Sequence, residues 1–319
     1  MAKDSSSSQL NGDNDRPVRL LVCWSPQSTG TEVLEFAAWL HKTQPVQVRV
    51  ASTLYQPWAT TSLSKLGGKY KKWYKKEKEA TAKRVRHELH EHGTPESAWD
   101  EEPSVLVDGP NRPTLLTGVA QDYDADLIVL GPNQAAPKGR FFAGSTADAL
   151  LHYSPIPLAL IPRGIKLSKN GIKRVNFIIN ERDEEVEPGL TIAGKLAQRW
   201  DTPLRLLVFS PDGLMAPTLN DDIDVTKKLT RDWREHSLAR MDRACDLLQK
   251  EVGDVDVSAE VGTGNGWGGA IDSLKWKKGD IACMSSSAQG PIERVFLGSR
   301  ATEMLPHLGV PILVRPFGR

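Results

Sequence analysis

Residues 126–131, DLIVLG, and residues 280–285, DIACMS, decide the fold, because they are one element that occurs twice in the chain. The same spacing of 154 residues recurs after each stretch. The corresponding pairs are Asp126 and Asp280, Gly144 and Gly298, Ser145 and Ser299, and Pro157 and Pro311. Matches at a single offset are the signature of an internal repeat, so the sequence predicts two copies of one domain.

Each copy alternates short apolar runs with amphipathic segments. Residues 19–24, RLLVCW, have the continuous apolar character of a strand that is buried on both faces of a parallel sheet. Residues 31–42 follow with apolar side chains at helical spacing, and residues 46–51 return to a strand pattern. Further strands are predicted at 104–107, 126–130 and 156–161, and the second copy repeats this order. We therefore predict an α/β protein of two tandem doubly wound, Rossmann-like domains, each with a five-stranded parallel sheet.

The length and composition of the chain agree with this organisation. A chain of 319 residues suits two domains of roughly 150 residues each. We expect a disordered polar tail at 1–16, a first domain at 17–163, a short polar linker at 164–171 and a second domain at 172–319. The tail lacks the apolar segment of a secretory signal, and no apolar run approaches the roughly 20 residues that span a bilayer. The three cysteines are far apart and lack metal-site spacing, so we expect a cytoplasmic protein without a membrane partner.

A lysine-rich segment at 69–92 raises the question of a polyanionic partner. The net charge of the whole chain is only +1, so binding to nucleic acid or to an anionic membrane would need a local patch. The segment combines a cluster of lysines with Tyr70, Trp73 and Tyr74, and such side chains can bind phosphate and stack on bases. The commoner origin of this pattern is a solvated helix whose aromatic side chains pack inward, and on that ground nucleic acid is not an expected partner.

The loop between the strand at 126–130 and the next helix has the composition of a phosphate site. Its candidate contacts are Gly131, Lys138, Arg140, Gly144, Ser145 and Thr146. A glycine directly after a strand lets the backbone approach an anion closely. The start of a helix adds free N–H groups and the positive end of the helix dipole, while the two basic side chains could neutralise phosphate charge. An ordinary turn in which the serine caps the helix is the alternative interpretation.

The spacing in this loop resembles that of the universal stress protein family. Nucleotide-binding members carry Gly, two residues, Gly, nine residues, Gly and then Ser or Thr between the fourth strand and the next helix. Gly131, Gly144 and Ser145 occupy three of these positions, while Gln134 stands in place of the second glycine. The resemblance covers nearly all of 18–163 and 172–316, as tandem copies of one domain.

The resemblance implies further contacts with a nucleotide. In nucleotide-binding relatives an Asp at the end of the first strand contacts the adenine, and Ser25 stands at that position here. Val50 stands where a valine of the second strand contacts the base. Gln134 places a side chain where the family leaves room for phosphate, so it either blocks the loop or donates an additional hydrogen bond.

The resemblance also implies a function. It identifies a cytoplasmic stress-response protein that binds ATP or another adenine nucleotide in domain 1 as a regulatory ligand, with Mg²⁺ as a further candidate ligand. It implies no enzymatic activity beyond very slow ATP hydrolysis. The two domains are expected to pair through their last strands as a pseudo-dimer within one chain, with an unidentified protein partner and with a homodimer as a further option.

The second copy departs further from the family pattern. Ser285 and Ala288 replace both early glycines, and Asn180 or Glu181 stands at the adenine position. Glu293 adds a carboxylate to the loop, which would repel phosphate. We therefore expect no nucleotide in domain 2. Loss of binding in both copies, which would leave a scaffold that works through protein contacts, is the alternative function.

The glycine-rich stretch at 262–269 has some likeness to a dinucleotide-binding motif. It follows the third strand of its copy, however, whereas that motif follows the first strand. We therefore interpret it as a strand-to-helix loop that borders the crevice of domain 2.

Overall fold

Strands and helices alternate through the part of the chain that the structure describes. This computed structural model describes residues 16–28, 30–56, 65, 67–179, 187–212, 223–285 and 299–315. The first half contains β1 (Val18–Cys23), α1 (Glu32–His41), β2 (Val46–Tyr55), α2 (Lys69–Glu91), β3 (Trp99–Gly109), α3 (Arg112–Asp122), β4 (Leu127–Leu130), α4 (Ser145–Tyr153) and β5 (Leu158–Leu160). The second half contains β6 (Arg174–Ile178), α5 (Glu187–Arg199), β7 (Leu204–Asp212), α6 (Ile223–Glu251), β8 (Val257–Asn265), α7 (Gly266–Asp272), β9 (Asp280–Ser285), α8 (Ser299–Met304) and β10 (Ile312–Arg315). No helix in these ranges is long and apolar enough to cross a bilayer.

The strands form one sheet in the order β3-β2-β1-β4-β5-β10-β9-β6-β7-β8. Neighbouring strands within each half are parallel, whereas β5 and β10 run antiparallel, with Ala159 opposite Leu313. Each half therefore contributes a five-stranded parallel sheet, which confirms the predicted fold. The antiparallel pairing of the last strands relates the two halves by a pseudo-twofold axis.

Helices cover both faces of this sheet. Helices α1, α2, α5 and α6 pack on one face, which contains Leu20 and Val48. Helices α3, α4, α7 and α8 pack on the other face, which contains Leu21 and Ile128. Because successive side chains of a strand point to opposite faces, the continuous apolar runs of β1 and β4 supply both cores.

The segment expected to be a polar linker is bonded to both domains. Trp39 Nε1 of α1 donates a hydrogen bond to Ser168 Oγ at 3.1 Å, and the backbone N–H of Ser168 donates to the carbonyl of Lys278 at 2.9 Å. Nearby, the backbone N–H of Ile172 donates to Thr43 Oγ1 at 2.8 Å. These bonds hold the start of the second domain against the first.

The structure corrects the interpretation of residues 262–269 as a loop. Residues 262–265 are the last part of β8, and residues 266–269 begin α7. A Cβ on Gly262 would lie 2.5 Å from the carbonyl oxygen of Ala270, and one on Gly264 would lie 2.5 Å from the carbonyl carbon of Gly269. The glycines are therefore needed because α7 folds back directly onto β8.

The structure also corrects the expectation that the aromatic residues of α2 pack inward. Tyr70 is 61% exposed and Trp73 is 48% exposed, and of the three aromatic side chains Tyr74 is the one that packs toward the sheet. Arg16, expected in the tail, belongs to the fold, since its guanidinium donates to both carboxylate oxygens of Asp126 at 2.8 and 3.0 Å. Residues 1–15 lie outside the described residues.

Candidate functional site

A crevice of about 560 Å³ opens at the carboxyl ends of β1 and β4. In the strand order of domain 1, β1 lies between β2 and β4, so the connections from β1 and β4 lead to opposite sides of the sheet. Ligands of open α/β sheets bind at such a point, and this volume is within the roughly 300–1,000 Å³ of small-ligand sites. The lining includes Trp24, Ser25, Glu32, Thr53, Arg112, Gly131, Gln134, Gly144, Ser145, Thr146 and Arg163.

The amino end of α4 lines this crevice. Gly144 is the N-cap residue, Ser145 is the first helical residue, and no side chain caps this end. The first intrahelical hydrogen bond runs from Asp148 N–H to the carbonyl of Gly144 at 2.8 Å. The N–H groups of residues 145–147 therefore have no intrahelical acceptor, and the positive end of the helix dipole faces the crevice. Ser145 is not the capping residue of the alternative interpretation.

Neither the backbone conformation nor the packing of the described residues requires glycine at position 131 or 144. Gly144 has φ −83°, which any residue adopts, and a Cβ placed on it would have no atom within 4 Å. A Cβ on Gly131 would make an ordinary contact of 3.5 Å with Val33. The described residues therefore leave the space beside these two glycines open to the crevice.

Ser25 lies just after β1 and also lines the crevice. Its hydroxyl donates a hydrogen bond to Gln27 Oε1, and its carbonyl accepts one from Ser28 N–H at 2.8 Å. Trp24 Nε1 donates to the carbonyl of Gly30 at 3.0 Å, which holds the start of the same loop. The end of β1 thus presents a hydroxyl within a fixed turn and no carboxylate.

Arg163 organises the loop that contains Gln134. Its Nη1 donates to the carbonyl of Gln134 at 2.7 Å and to the carbonyl of Ala136 at 2.9 Å. The backbone of Gly139 donates to the carbonyl of Arg163 at 2.6 Å, so the β4–α4 loop is tied to the segment after β5. The side chain of Gln134 is exposed at the crevice.

Three of the candidate residues lie outside the crevice lining. Val50 is fully buried within β2, and Thr53 lines the crevice from the same strand. Lys138 packs beside Gly164, where a Cβ would lie 3.3 Å from Lys138 Cγ. Arg140 reaches domain 2, where its guanidinium donates to the carbonyl of His307 and its Nη2 lies 3.6 Å from Asp272 Oδ2.

Among the described lining residues the cationic side chains are instead those of Arg112 and Arg163, which the sequence analysis did not select. Arg112 begins α3 directly after β3, and its guanidinium carbon lies 5.0 Å from the centroid of the Tyr55 ring. Its position could have been found, because helix starts that follow parallel strands border such crevices. Arg163 offers no comparable signal, since it comes 32 residues after Gly131 and reaches the site only through the fold.

Among the described lining residues, Glu32 is the one that carries a negative charge. It lies in the first turn of α1, where the helix dipole favours an acidic side chain. Its Oε1 accepts a hydrogen bond from the backbone N–H of Gly164 at 2.7 Å. Cys23 also lines the crevice, and burial raises the pKa of its thiol to about 12.

The corresponding region of domain 2 lies at the ends of β6 and β9. Asn180, Glu181, Ala288, Glu293 and Gly298 lie outside the described residues. Ser285 ends β9, and a Cβ on Gly189 of α5 would lie 1.6 Å from its Oγ. At the end of β9 in domain 2 a serine thus lies against Gly189, whereas after β4 in domain 1 Gly131 faces Val33.

Comparisons with known proteins agree with this architecture. The sequence profile of the universal stress protein family matches residues 18–162 and again residues 172–316. Universal stress proteins of Mycobacterium tuberculosis and Mycobacterium bovis are each 27% identical over 303 residues, which cover 93% of this chain and 99% of theirs.

Solved structures share the fold. A universal stress protein from Archaeoglobus fulgidus has a TM-score of 0.60 at 15% identity and covers 94% of this chain and 98% of its own. A functionally unknown protein from Pseudomonas aeruginosa has a TM-score of 0.56 at 14% identity, with coverage of 97% and 95%. With two profile matches that together span most of the sequence, this chain belongs to the universal stress protein family as a tandem, two-domain member.

Proposed function

We propose that the crevice of domain 1 binds an adenine nucleotide, ATP in the first place, as the regulatory ligand of this stress-response protein. The observation that carries the proposal is the uncapped amino end of α4, with Gly144 open to the crevice. Free N–H groups at a helix start and the helix dipole together form an anion site. Ser145 and Thr146 add hydroxyl groups to the same edge of the crevice.

The charge distribution supports a phosphate-bearing ligand. Arg112 and Arg163 lie on the lining, and Glu32 alone carries a carboxylate among the described lining residues. The hydrogen bond from Gly164 N–H occupies one oxygen of that carboxylate. Mg²⁺ would come with the nucleotide, since it prefers phosphate oxygens and water to an all-protein cage.

A binding role is favoured over a catalytic one. The described lining residues include no histidine, lysine or aspartate, and the one carboxylate among them, that of Glu32, already accepts a hydrogen bond from Gly164 N–H, which makes it a weaker general base. The raised pKa keeps the Cys23 thiol protonated, which makes it a poor nucleophile. We expect at most very slow ATP hydrolysis.

Occupancy of the crevice can influence domain 2 through the loop itself. Arg140, in the loop between Gly131 and Gly144, contacts His307 and Asp272 of domain 2. A nucleotide that orders this loop would also order that contact, and an unidentified protein partner in the cytoplasm could recognise the resulting surface. ATP would then act by changing a protein interaction.

A nucleotide-free scaffold is the second candidate. Ser25 offers no carboxylate to an adenine, and Gln134 projects at the crevice where the family pattern has glycine. A protein that binds no nucleotide would keep the same sheet and act through its surface alone.

Two measurements separate these functions. The freshly purified chain is denatured with acid and the released small molecules are identified by mass spectrometry, and the nucleotide-free chain is titrated with ATP and with AMP by calorimetry. Released adenine nucleotide, or saturable binding of ATP at one site per chain, is the expected result. No released nucleotide together with no heat of binding at millimolar ATP would leave the scaffold as the function.

A further inference from the structure

Helix α2 is anchored to the protein mainly by its second half. Thr81, Val85 and Leu89 are buried against the sheet. Tyr74 adds one hydrogen bond from its hydroxyl to the carbonyl of Leu106 at 2.6 Å. Within residues 69–80 the other side chains are exposed, apart from the partly buried Glu77. The first three turns of α2 therefore present nearly all of their side chains to the surface.

Two aromatic rings lie on this surface. Tyr70 is 61% exposed and Trp73 is 48% exposed. Large aromatic side chains are usually mostly buried in a folded protein, so this degree of exposure is unusual. They are three residues apart, and side chains at that spacing are neighbours on a helix. The two rings therefore form one exposed aromatic pair.

Lysines surround the pair. Residues 69–80 contain six lysines and two glutamates, in a chain whose net charge is +1, and Lys75 Nζ lies 4.0 Å from Glu79 Oε1, so the segment keeps an excess of four positive charges. The first turn of α2 has no acidic residue, and no side chain caps it. Lys71 and Lys75, and likewise Lys72 and Lys76, are like charges four residues apart, and like charges at this spacing destabilise a helix. Positive charge at the amino end of a helix is also destabilising, because the helix dipole has its positive end there.

We propose that residues 69–80 of α2 are a docking surface for single-stranded nucleic acid. The lysines would contact consecutive phosphates, which removes the repulsion within the helix, and the rings of Tyr70 and Trp73 would stack on unpaired bases. This combination of cations and aromatic faces is sequence-tolerant, because every base has a stacking face.

The same residues fit a bilayer less well. Interfacial helices insert an apolar face into the lipid, but the apolar face of α2 is packed on the sheet, and residues 69–80 contain no leucine, isoleucine, valine or phenylalanine. Duplex DNA would meet the lysines yet offer no unpaired base to the rings. The exposed aromatic pair is what selects a single strand.

The test uses the full chain and fluorescein-labelled dT20, with fluorescence anisotropy as the readout at several salt concentrations. We expect Trp73→Ala to weaken binding about 5- to 100-fold without changing the salt slope, since stacking is uncharged. Lys72→Gln together with Lys76→Gln should weaken binding and lower the slope of log Kd against log salt by about 1.4, as two phosphate contacts are lost.

Matched controls lie elsewhere on the surface. Tyr153 is 63% exposed, so Tyr153→Ala removes an equally exposed ring, and Lys277→Gln with Lys278→Gln removes two other neighbouring lysines. These variants should bind dT20 like the unaltered chain. The proposal is overturned if duplex DNA of the same length binds as tightly as dT20 and Trp73→Ala has no effect. It is also overturned if dT20 does not bind, whether or not phosphatidylserine vesicles do.

Discussion

The substitution Gly144→Ala separates ligand binding from stability. The φ angle of −83° accepts alanine, and no atom of the described residues lies within 4 Å of the added methyl group, so the packing of these residues is unchanged. Alanine restricts the unfolded chain and gains about 0.4–1 kcal/mol, while as an N-cap it is worse than glycine by several tenths to roughly 1 kcal/mol. The free energy of unfolding should therefore change by less than about 1 kcal/mol.

The effect of Gly144→Ala on nucleotide binding should be much larger. The methyl group occupies the space in which a phosphate would approach the N–H groups of α4. Loss of one hydrogen bond to a charged group costs about 1.5–3 kcal/mol, which corresponds to roughly 10- to 150-fold weaker binding.

Calorimetric titration with ATP and urea denaturation measure the two quantities on the same preparation. Gly118→Ala in α3 is the control, because a Cβ there also has no atom within 4 Å and the substitution favours the helix by up to about 1 kcal/mol. An unchanged ATP affinity in Gly144→Ala would refute the assignment of phosphate to this loop.

Three further predictions concern stability. Arg140→Ala should lower the free energy of unfolding by about 1–2 kcal/mol in urea denaturation, because the charge-assisted hydrogen bond to the carbonyl of His307 is lost; an unchanged midpoint would contradict that contact. Gly264→Ala should cost about 1–3 kcal/mol by thermal denaturation, since the methyl group would meet the backbone of α7, and ATP binding should stay intact. Burial raises the pKa of Tyr74 to about 12, so the neutral phenol stabilises the fold fully below pH 10, and this stabilisation is lost as the pH rises toward 12. The free energy of unfolding of Tyr74→Phe should therefore fall less between pH 10 and pH 12 than that of the unaltered chain. An equal fall in the two proteins would contradict the raised pKa of Tyr74.

The fold could be predicted from the sequence because its signals are local and repeated. The match between residues 126–131 and 280–285 at one offset identified two domains, and the apolar runs identified buried parallel strands. The extent of β8 was predicted less well, since residues 262–265 are rich in glycine and glycine usually weakens a strand. Close packing of α7 on these glycines overrides that preference.

The candidate site was predicted in part. The structure brings Ser25, Gly131, Gln134 and residues 144–146 to one crevice, all of which the loop spacing and the family resemblance had indicated. The sequence could not predict whether the side chains of Lys138 and Arg140 would point into the crevice or away from it. A loop residue can face the crevice or the neighbouring domain with equal ease, and the pairing of β5 with β10 brings domain 2 within reach of Arg140.

The sequence by itself determined the number of domains, the order of strands and helices within each, the family, and the place of the loop between β4 and α4. These properties follow from periodicity, burial and the spacing of short motifs, which act along the chain. Only the tertiary structure decided that Arg163, and not Lys138 or Arg140, lines the crevice and that Tyr70 and Trp73 are exposed beside the lysines. Those facts depend on which distant segments meet and on where a helix loses contact with the sheet, because the exposure of a side chain is set by its neighbours in space.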